Sequence, residues 1–221
     1  MKSYILALGL LGATACAHPA PVVAPTPPSQ AAIIERTLHS VGHLIGKIEM
    51  TTEYTVDVAS TMSFDPAQLT YGCTAFAIDA RKWMTAAHCI GREMMIDDHP
   101  AFLVIQDKAL DLAVVVSDYV RPALTIREEP LHPQEEVVGL GYGYSWKYPV
   151  ITHHYAVLMN FSPLPDIAPG TWFNGGFIGG QSGGVLIDRA GLVVGVIQRS
   201  DYQYGYGVNS ATMLEFLRPL K

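Results

Sequence analysis

The sequence predicts an all-β fold, and three observations predict it. Strand-sized apolar segments recur along the chain, separated by turn signals. Aromatics, glycines (20) and prolines (15) are spread through the whole length, as short strands with tight turns require. The chain is 49% apolar and only 15% charged, the balance of a well-buried globular body and not of a disordered one. Its 221 residues allow one large or two small domains. Many short strands at this spacing build barrels or sandwiches.

The N-terminal residues are predicted to lie outside that body. Lys2 supplies a positive charge, Tyr4 to Ala15 is a mostly apolar stretch of 12 residues, and Ala13-Thr14-Ala15 has the small-x-small form of a cleavage site. A stretch this short cannot cross a ~30 Å hydrocarbon core as a helix. Residues 1–15 are therefore expected to be a signal peptide. Cys16 follows directly, which resembles a bacterial lipoprotein signal, although Ala13 stands where leucine is usual. Lipidation of Cys16, tethering the chain to a membrane, and plain secretion both stay open. Either way the protein is expected to be exported, to the periplasm or cell envelope or to the medium. Residues 16–30 carry Pro19, Pro21, Pro25, Pro27 and Pro28 and should form an extended tether.

The body should begin near Ala31. Ser29 is a candidate N-cap, and Ile34, Leu38, Val41 and Ile45 have helical spacing, but Gly42 and Gly46 should stop the helix near Ser40. Strands are expected over 44–50, 54–59, 74–78, 83–86, 101–105 and 112–116. Residues 121–133, with Pro122, Pro130 and Pro133, should connect two halves, 31–125 and 126–221. The second half offers strands over 136–141, 154–159, 185–187, 192–198 and 206–208. Ser210 should then cap a last helix through Met213, Phe216 and Leu217. There is no convincing internal repeat.

Three fragments carry the chemistry: Thr85-Ala86-Ala87-His88-Cys89, Asp111-Leu112-Ala113-Val114-Val115 and Gly180-Gln181-Ser182-Gly183-Gly184. A serine hydroxyl is a poor nucleophile at neutral pH. It needs a base for its proton, a carboxylate to orient that base, and donors for the oxyanion. His88, Asp111 and Ser182 supply one candidate for each of the first roles, and the backbone N–H groups of Gly180 and Ser182 are candidates for the last. Each fragment alone has a plain structural reading, as a turn, a core pair or a strand start; together and in this order they do not. The same pentapeptide also fits the G-x-S-x-G elbow of α/β-hydrolases, but that arrangement needs its histidine after the serine. The last histidines here are His153 and His154, so it fails on order. Asp97, Asp98 and Asp107 compete with Asp111 for the acid role, but only Asp111 heads an apolar strand.

A net charge of −6 and the lack of a long basic run exclude nucleic acid as the main partner. His153 and His154 are adjacent and face opposite ways on a strand. No metal or other cofactor is expected. Cys73 and Cys89 are the two cysteines of the body, and an oxidising compartment favours a bridge between them over two reduced thiols.

Together these residues resemble the trypsin-like serine proteases. The run from Cys73 to Cys89, ending Trp83-Met84-Thr85-Ala86-Ala87-His88-Cys89, resembles that family's histidine segment with its paired cysteines. Asp111-Leu112-Ala113 resembles its aspartate segment, Gly180 to Gly184 its nucleophile loop, and Gly195-Val196-Ile197 and Gly207-Val208 its pocket walls. The resemblance implies two six-stranded antiparallel β-barrels of the chymotrypsin type, with a short N-terminal and a C-terminal helix. The compact spacing resembles the bacterial glutamyl endopeptidases and Deg-type enzymes, without the further peptide-binding module of many of the latter. Digestive trypsins have aspartate where this chain has Gln181, so no trypsin-style zymogen ion pair is expected. By the same resemblance Gly176, Ile197, Gln198, Arg199, Ser200 and Gly207 should form the substrate pocket, with Gln198 to Ser200 pairing as a strand with the substrate backbone. A neutral, roomy pocket implies cleavage of protein or peptide substrates after apolar residues. The alternatives are a catalytically silent homologue acting as an envelope binding protein, and an esterase on the same fold. The oligomeric state is not legible.

Overall fold

The computed structural model describes residues 27–47, 70–143, 148–161, 170–200 and 203–220. Helix α1 (Gln30–Leu38) is capped by Ser29, whose side chain accepts from the Ala32 N–H at 3.3 Å, as the sequence predicts. Six strands follow: β1 (Val41–Lys47), β2 (Thr70–Ala77), β3 (Lys82–Thr85), β4 (Arg92–Ile96), β5 (His99–Asp107) and β6 (Leu112–Ser117). They close into an antiparallel barrel in the order β1-β2-β3-β6-β5-β4. A second set, β7 (Glu136–Tyr142), β8 (Pro149–Phe161), β9 (Gly170–Asn174), β10 (Val185–Ile187), β11 (Val193–Ser200) and β12 (Tyr204–Asn209), closes in the order β10-β11-β12-β9-β8-β7. Helix α2 (Ser210–Phe216) ends the fold. The expected chymotrypsin-like architecture is thus what the chain adopts.

Three apolar layers hold it together. Leu44, Trp83, Ile96 and Val115 pack inside the first barrel, and Val137, Phe173, Leu186, Val194 and Ile197 inside the second. The third layer joins Met84, Leu112 and Val114 of the first barrel to Val138, Leu140, Val185, Val196 and Val208 of the second, with Ile33 of α1 and Met213 of α2. Neighbours on one strand therefore alternate between a barrel interior and this inter-barrel layer: Trp83 and Met84, Val115 and Val114, Val137 and Val138. Because both faces of these strands are buried, they read in sequence as continuous apolar runs.

Several boundaries differ from the expectation. The first strand starts at Val41, three positions before the predicted 44, because the helical spacing of Val41 and Ile45 gives way to pairing with β2. Strand β4 is missed by the sequence pattern, since only Met94 and Ile96 of its five residues are buried. Its turn into β5 is Asp97-Asp98, both at positive φ (46° and 68°), the two-residue hairpin geometry that aspartate tolerates. Strand β9 is also missed. The last helix is capped by Asn209, not Ser210: the Asn209 side chain accepts from the Thr212 N–H at 3.0 Å, and Ser210 opens the helix. The expected strand over 54–59 and residues 1–26, including Cys16, lie outside the described residues.

Candidate active site

His88 sits on a single 3-10 turn (Ala87–Cys89) at the end of β3, where its ring stays 40% exposed. Its Nδ1 lies 2.8 and 3.1 Å from the two carboxylate oxygens of Asp111, and its backbone N–H donates to the same carboxylate at 2.9 Å. A carboxylate accepts only, so the ring proton belongs on Nδ1, which leaves Nε2 as an acceptor facing outward. The Cys73–Cys89 disulfide ties this turn to β2. Its closed loop stabilises the fold by about 3 kcal/mol through loss of unfolded-chain freedom.

Asp111 is buried, 4% exposed, and has φ of 52°, an uncommon conformation for a side chain other than glycine. Its surroundings hold it there. Asp107 accepts from the N–H groups of Ala109 and Leu110 at 2.9 and 3.0 Å, which turns the chain before it. The Asp111 carbonyl accepts from the Ala87 N–H at 3.1 Å and from Gln198 Nε2 at 3.0 Å.

Ser182 is half-buried in the loop between β9 and β10. Its Oγ donates to the Gln198 carbonyl at 3.0 Å and makes no hydrogen bond with His88 among the described residues. The preceding segment is a β-turn closed by the Gln181 N–H on the Ile178 carbonyl at 3.0 Å. Gly180 occupies its third position at φ of 97°, as a type II turn demands, and a Cβ there would stand 2.8 Å from the Tyr142 carbonyl. Among the described residues the N–H groups of Gly180 and Ser182 have no partner. The buried Gln181 side chain braces the turn from beneath, its Oε1 accepting from the Ile178 N–H at 2.8 Å.

The residues expected at the substrate pocket have different surroundings. Gly176 is half-buried and Ser200 exposed, and Ser200 Oγ accepts from the Phe177 N–H at 2.8 Å. Arg199 is exposed. Ile197 packs into the core of the second barrel beside Phe177, and Gly207, its partner across the sheet, faces Leu186. The Gln198 side chain points instead to the aspartate turn, donating to the carbonyls of Leu110 (2.7 Å) and Asp111. The buried ring of His154 stands edge-on to Phe177 at 4.5 Å, and its Nδ1–H donates to the Asn174 carbonyl at 2.7 Å. Burial holds its pKa below the ordinary value, as it does for His43. Burial also pushes the Tyr206 hydroxyl up to about 12. Cys73, His88 and Cys89 bring potential metal-ligand atoms within 4.8 Å of one another, but the two sulfurs are bonded together and offer no thiolate.

A pair of closed barrels with a histidine–aspartate pair on one and a serine in a glycine-rich loop on the other defines a class of protein. The trypsin-like peptidase domain is matched over residues 73–196, and the chain belongs to that family. Among solved structures, the Rv3671c protease of M. tuberculosis in its active form is similar, with 22% identity and a TM-score of 0.67 over 90% of each chain. The HtrA-type protease AlgW with a tripeptide has 18% identity and a TM-score of 0.67, covering 87% of this chain and 64% of that one. A serine endoprotease from Yersinia pestis has 17% identity and a TM-score of 0.65, covering 89% of this chain and 68% of that one. Among curated proteins none matches in sequence. No helix among the described residues is long and apolar enough to cross a membrane.

Proposed function

We propose that the chain is a serine endopeptidase in which His88, Asp111 and Ser182 hydrolyse peptide bonds through an acyl-enzyme. The observation that carries this is the pairing of His88 Nδ1 with the buried Asp111 carboxylate at 2.8 Å, which presents a basic Nε2 on the side of the cleft. Ser182 Oγ turns from the Gln198 carbonyl to His88 Nε2 and gives up its proton as the oxygen bonds to the substrate carbonyl carbon. The Gly180 and Ser182 N–H groups take the resulting oxyanion. His88 then passes its proton to the leaving amine as the C–N bond breaks. Water repeats the sequence on the acyl ester, with His88 taking its proton and returning one to Ser182.

Cleavage after apolar side chains is the specificity we favour. Gly176 has no side chain to pair with lysine or arginine, and a neutral pocket gains about 0.8 kcal/mol per buried CH₂ of an apolar substrate side chain. Export is proposed on the signal-like N-terminus, with a mature chain starting at Cys16, lipidated or free. The Cys73–Cys89 bond fits an oxidising compartment. Intact mass of the exported protein checks this, and a product retaining Met1 would contradict it.

The test of the activity is a fluorophosphonate probe with a peptide-library assay. A Ser182 adduct, activity lost in both Ser182→Ala and His88→Ala, and little further loss in the double variant are expected. Unlabelled Ser182 would favour a silent binding homologue. Cleavage dominated by sites after Arg, Lys or Glu would refute the pocket assignment and leave the triad standing.

A further inference from the structure

We propose that Thr74, in β2 of the first barrel, is the positioning residue that holds the oxyanion turn of the second barrel in its working conformation. The proposal rests on the protease reading above and names a determinant of the same site.

Thr74 is fully buried, at the point where β2 faces the nucleophile loop. Four of its polar interactions lead to that loop or fix Thr74 itself. Its backbone N–H donates to the Ser182 carbonyl at 2.8 Å. Its hydroxyl donates to the Gly180 carbonyl at 2.9 Å and accepts from the Tyr142 N–H at 2.8 Å. Its own carbonyl accepts from Thr85 Oγ1 at 2.7 Å. A hydroxyl has one proton and two lone pairs. Here the proton is committed to the turn and a lone pair to β7.

The consequence follows peptide by peptide. Gly180 O is held by Thr74 and the Gln181 N–H by Ile178 O, so the plane after Gly180 is fixed. Gln181 O is held by the Gly184 N–H, and Ser182 O by the Thr74 N–H, which fixes the next two planes. What these anchors leave unbonded, among the described residues, are the N–H groups of Gly180 and Ser182, the two proposed oxyanion donors. Thr74 supplies two of the anchors from across the inter-barrel gap. Its neighbour Cys73 is bonded to Cys89 beside His88. One dipeptide of β2 therefore aligns the base with one hand and the oxyanion turn with the other.

Removing only the hydroxyl leaves the Tyr142 N–H and the Gly180 carbonyl unpaired together in a partly buried place, which favours rotation of the turn. In Thr74→Val we expect kcat to fall about 10- to 100-fold, the scale of a displacement near 1 Å at a reacting centre. KM should stay within about twofold, because the loss is confined to the transition state. Affinity for a peptide aldehyde, whose adduct needs the oxyanion donors, should fall in step with kcat. Thr74→Ser, which keeps the hydroxyl, should restore most of both. A purely structural threonine would move Tm and KM without this split and without serine rescue.

Thermal melting shows whether Thr74→Val folds. If it does not, Gly141→Ala decides, since a Cβ there would lie 2.9 Å from Thr74 Oγ1 and 3.2 Å from the Gln181 Cα, crowding the same contact. A folded variant with lowered kcat and weakened aldehyde binding supports the proposal. Unchanged kcat in folded Thr74→Val, or in Gly141→Ala where Val does not fold, overturns it. A wild-type chain that neither cuts peptides nor takes a fluorophosphonate overturns the protease reading, and this one with it.

Discussion

Replacing Gln198 by leucine separates two roles for one residue. The family resemblance puts position 198 at the substrate pocket, on the segment expected to pair with the substrate backbone. The structure turns its side chain away, with Nε2 donating to Leu110 O at 2.7 Å and Asp111 O at 3.0 Å, and the residue only 1% exposed. Leucine fills a similar volume but donates nothing. Leu110 O then loses its donor, at about 1–3 kcal/mol, while Asp111 O keeps the Ala87 N–H and loses about 0.5–1.5 kcal/mol. The total is roughly 1.5–4.5 kcal/mol. For a chain of this size that lowers Tm by about 3–18 °C, at roughly 2–4 °C per kcal/mol. The loss also removes a restraint on Asp111, whose φ of 52° is held against its own preference, so the carboxylate should drift from His88. Circular-dichroism melts and kcat/KM across a peptide library are the assays. A lower Tm and a uniform drop in kcat/KM, with side-chain preference unchanged, is the expected result. An unchanged Tm with an altered preference would refute the bracing role and return Gln198 to the pocket.

Two further predictions concern stability. Arg127, on the connection between barrels, grips Glu135 with both terminal nitrogens, reaches Asp188 at 3.2 Å, and donates to the carbonyls of Glu129 and Pro130 at 3.2 and 2.8 Å. Its hydrogen bond holds the Glu135 carboxyl below the ordinary 4.5, so this stabilisation is complete above that pH and is lost as pH falls through the folded value; urea midpoints against pH should show a decline there that Glu135→Gln largely removes, and an identical decline in the variant would refute it. His43 and His154 are held below 6.5 chiefly by burial, so below that pH the unfolded chain binds more protons and stability falls. Urea midpoints of His154→Phe between about pH 6.5 and 5 should fall less steeply than those of the parent, and parallel slopes would sink that assignment.

The parts of the fold that were legible are those fixed locally. Ser29 announces α1, Val185 to Ile187 stands alone as an apolar run, and the histidine, aspartate and serine fragments each carry their own short signature. The parts that were not legible depend on partners far along the chain. Strand β4 is half polar because only one face is buried, and it becomes a strand by pairing with β1, which closes the first barrel. Thr74 and Gly180 are 106 positions apart, and Gln198 and Asp111 are 87 apart. No periodicity within either segment hints at the meeting. Gln198 shows how such a contact forms. A register assigns a residue to a face of its strand, but a long amide side chain can reach backbone carbonyls that still have a lone pair to offer. The carbonyl of Leu110 and that of Asp111, which also accepts from the Ala87 N–H, stand together at the turn whose positive φ brings Asp111 to His88. The conformation that brings the Asp111 carboxylate to His88 thus creates the demand that captures the glutamine, and β11 of the second barrel braces the aspartate turn of the first.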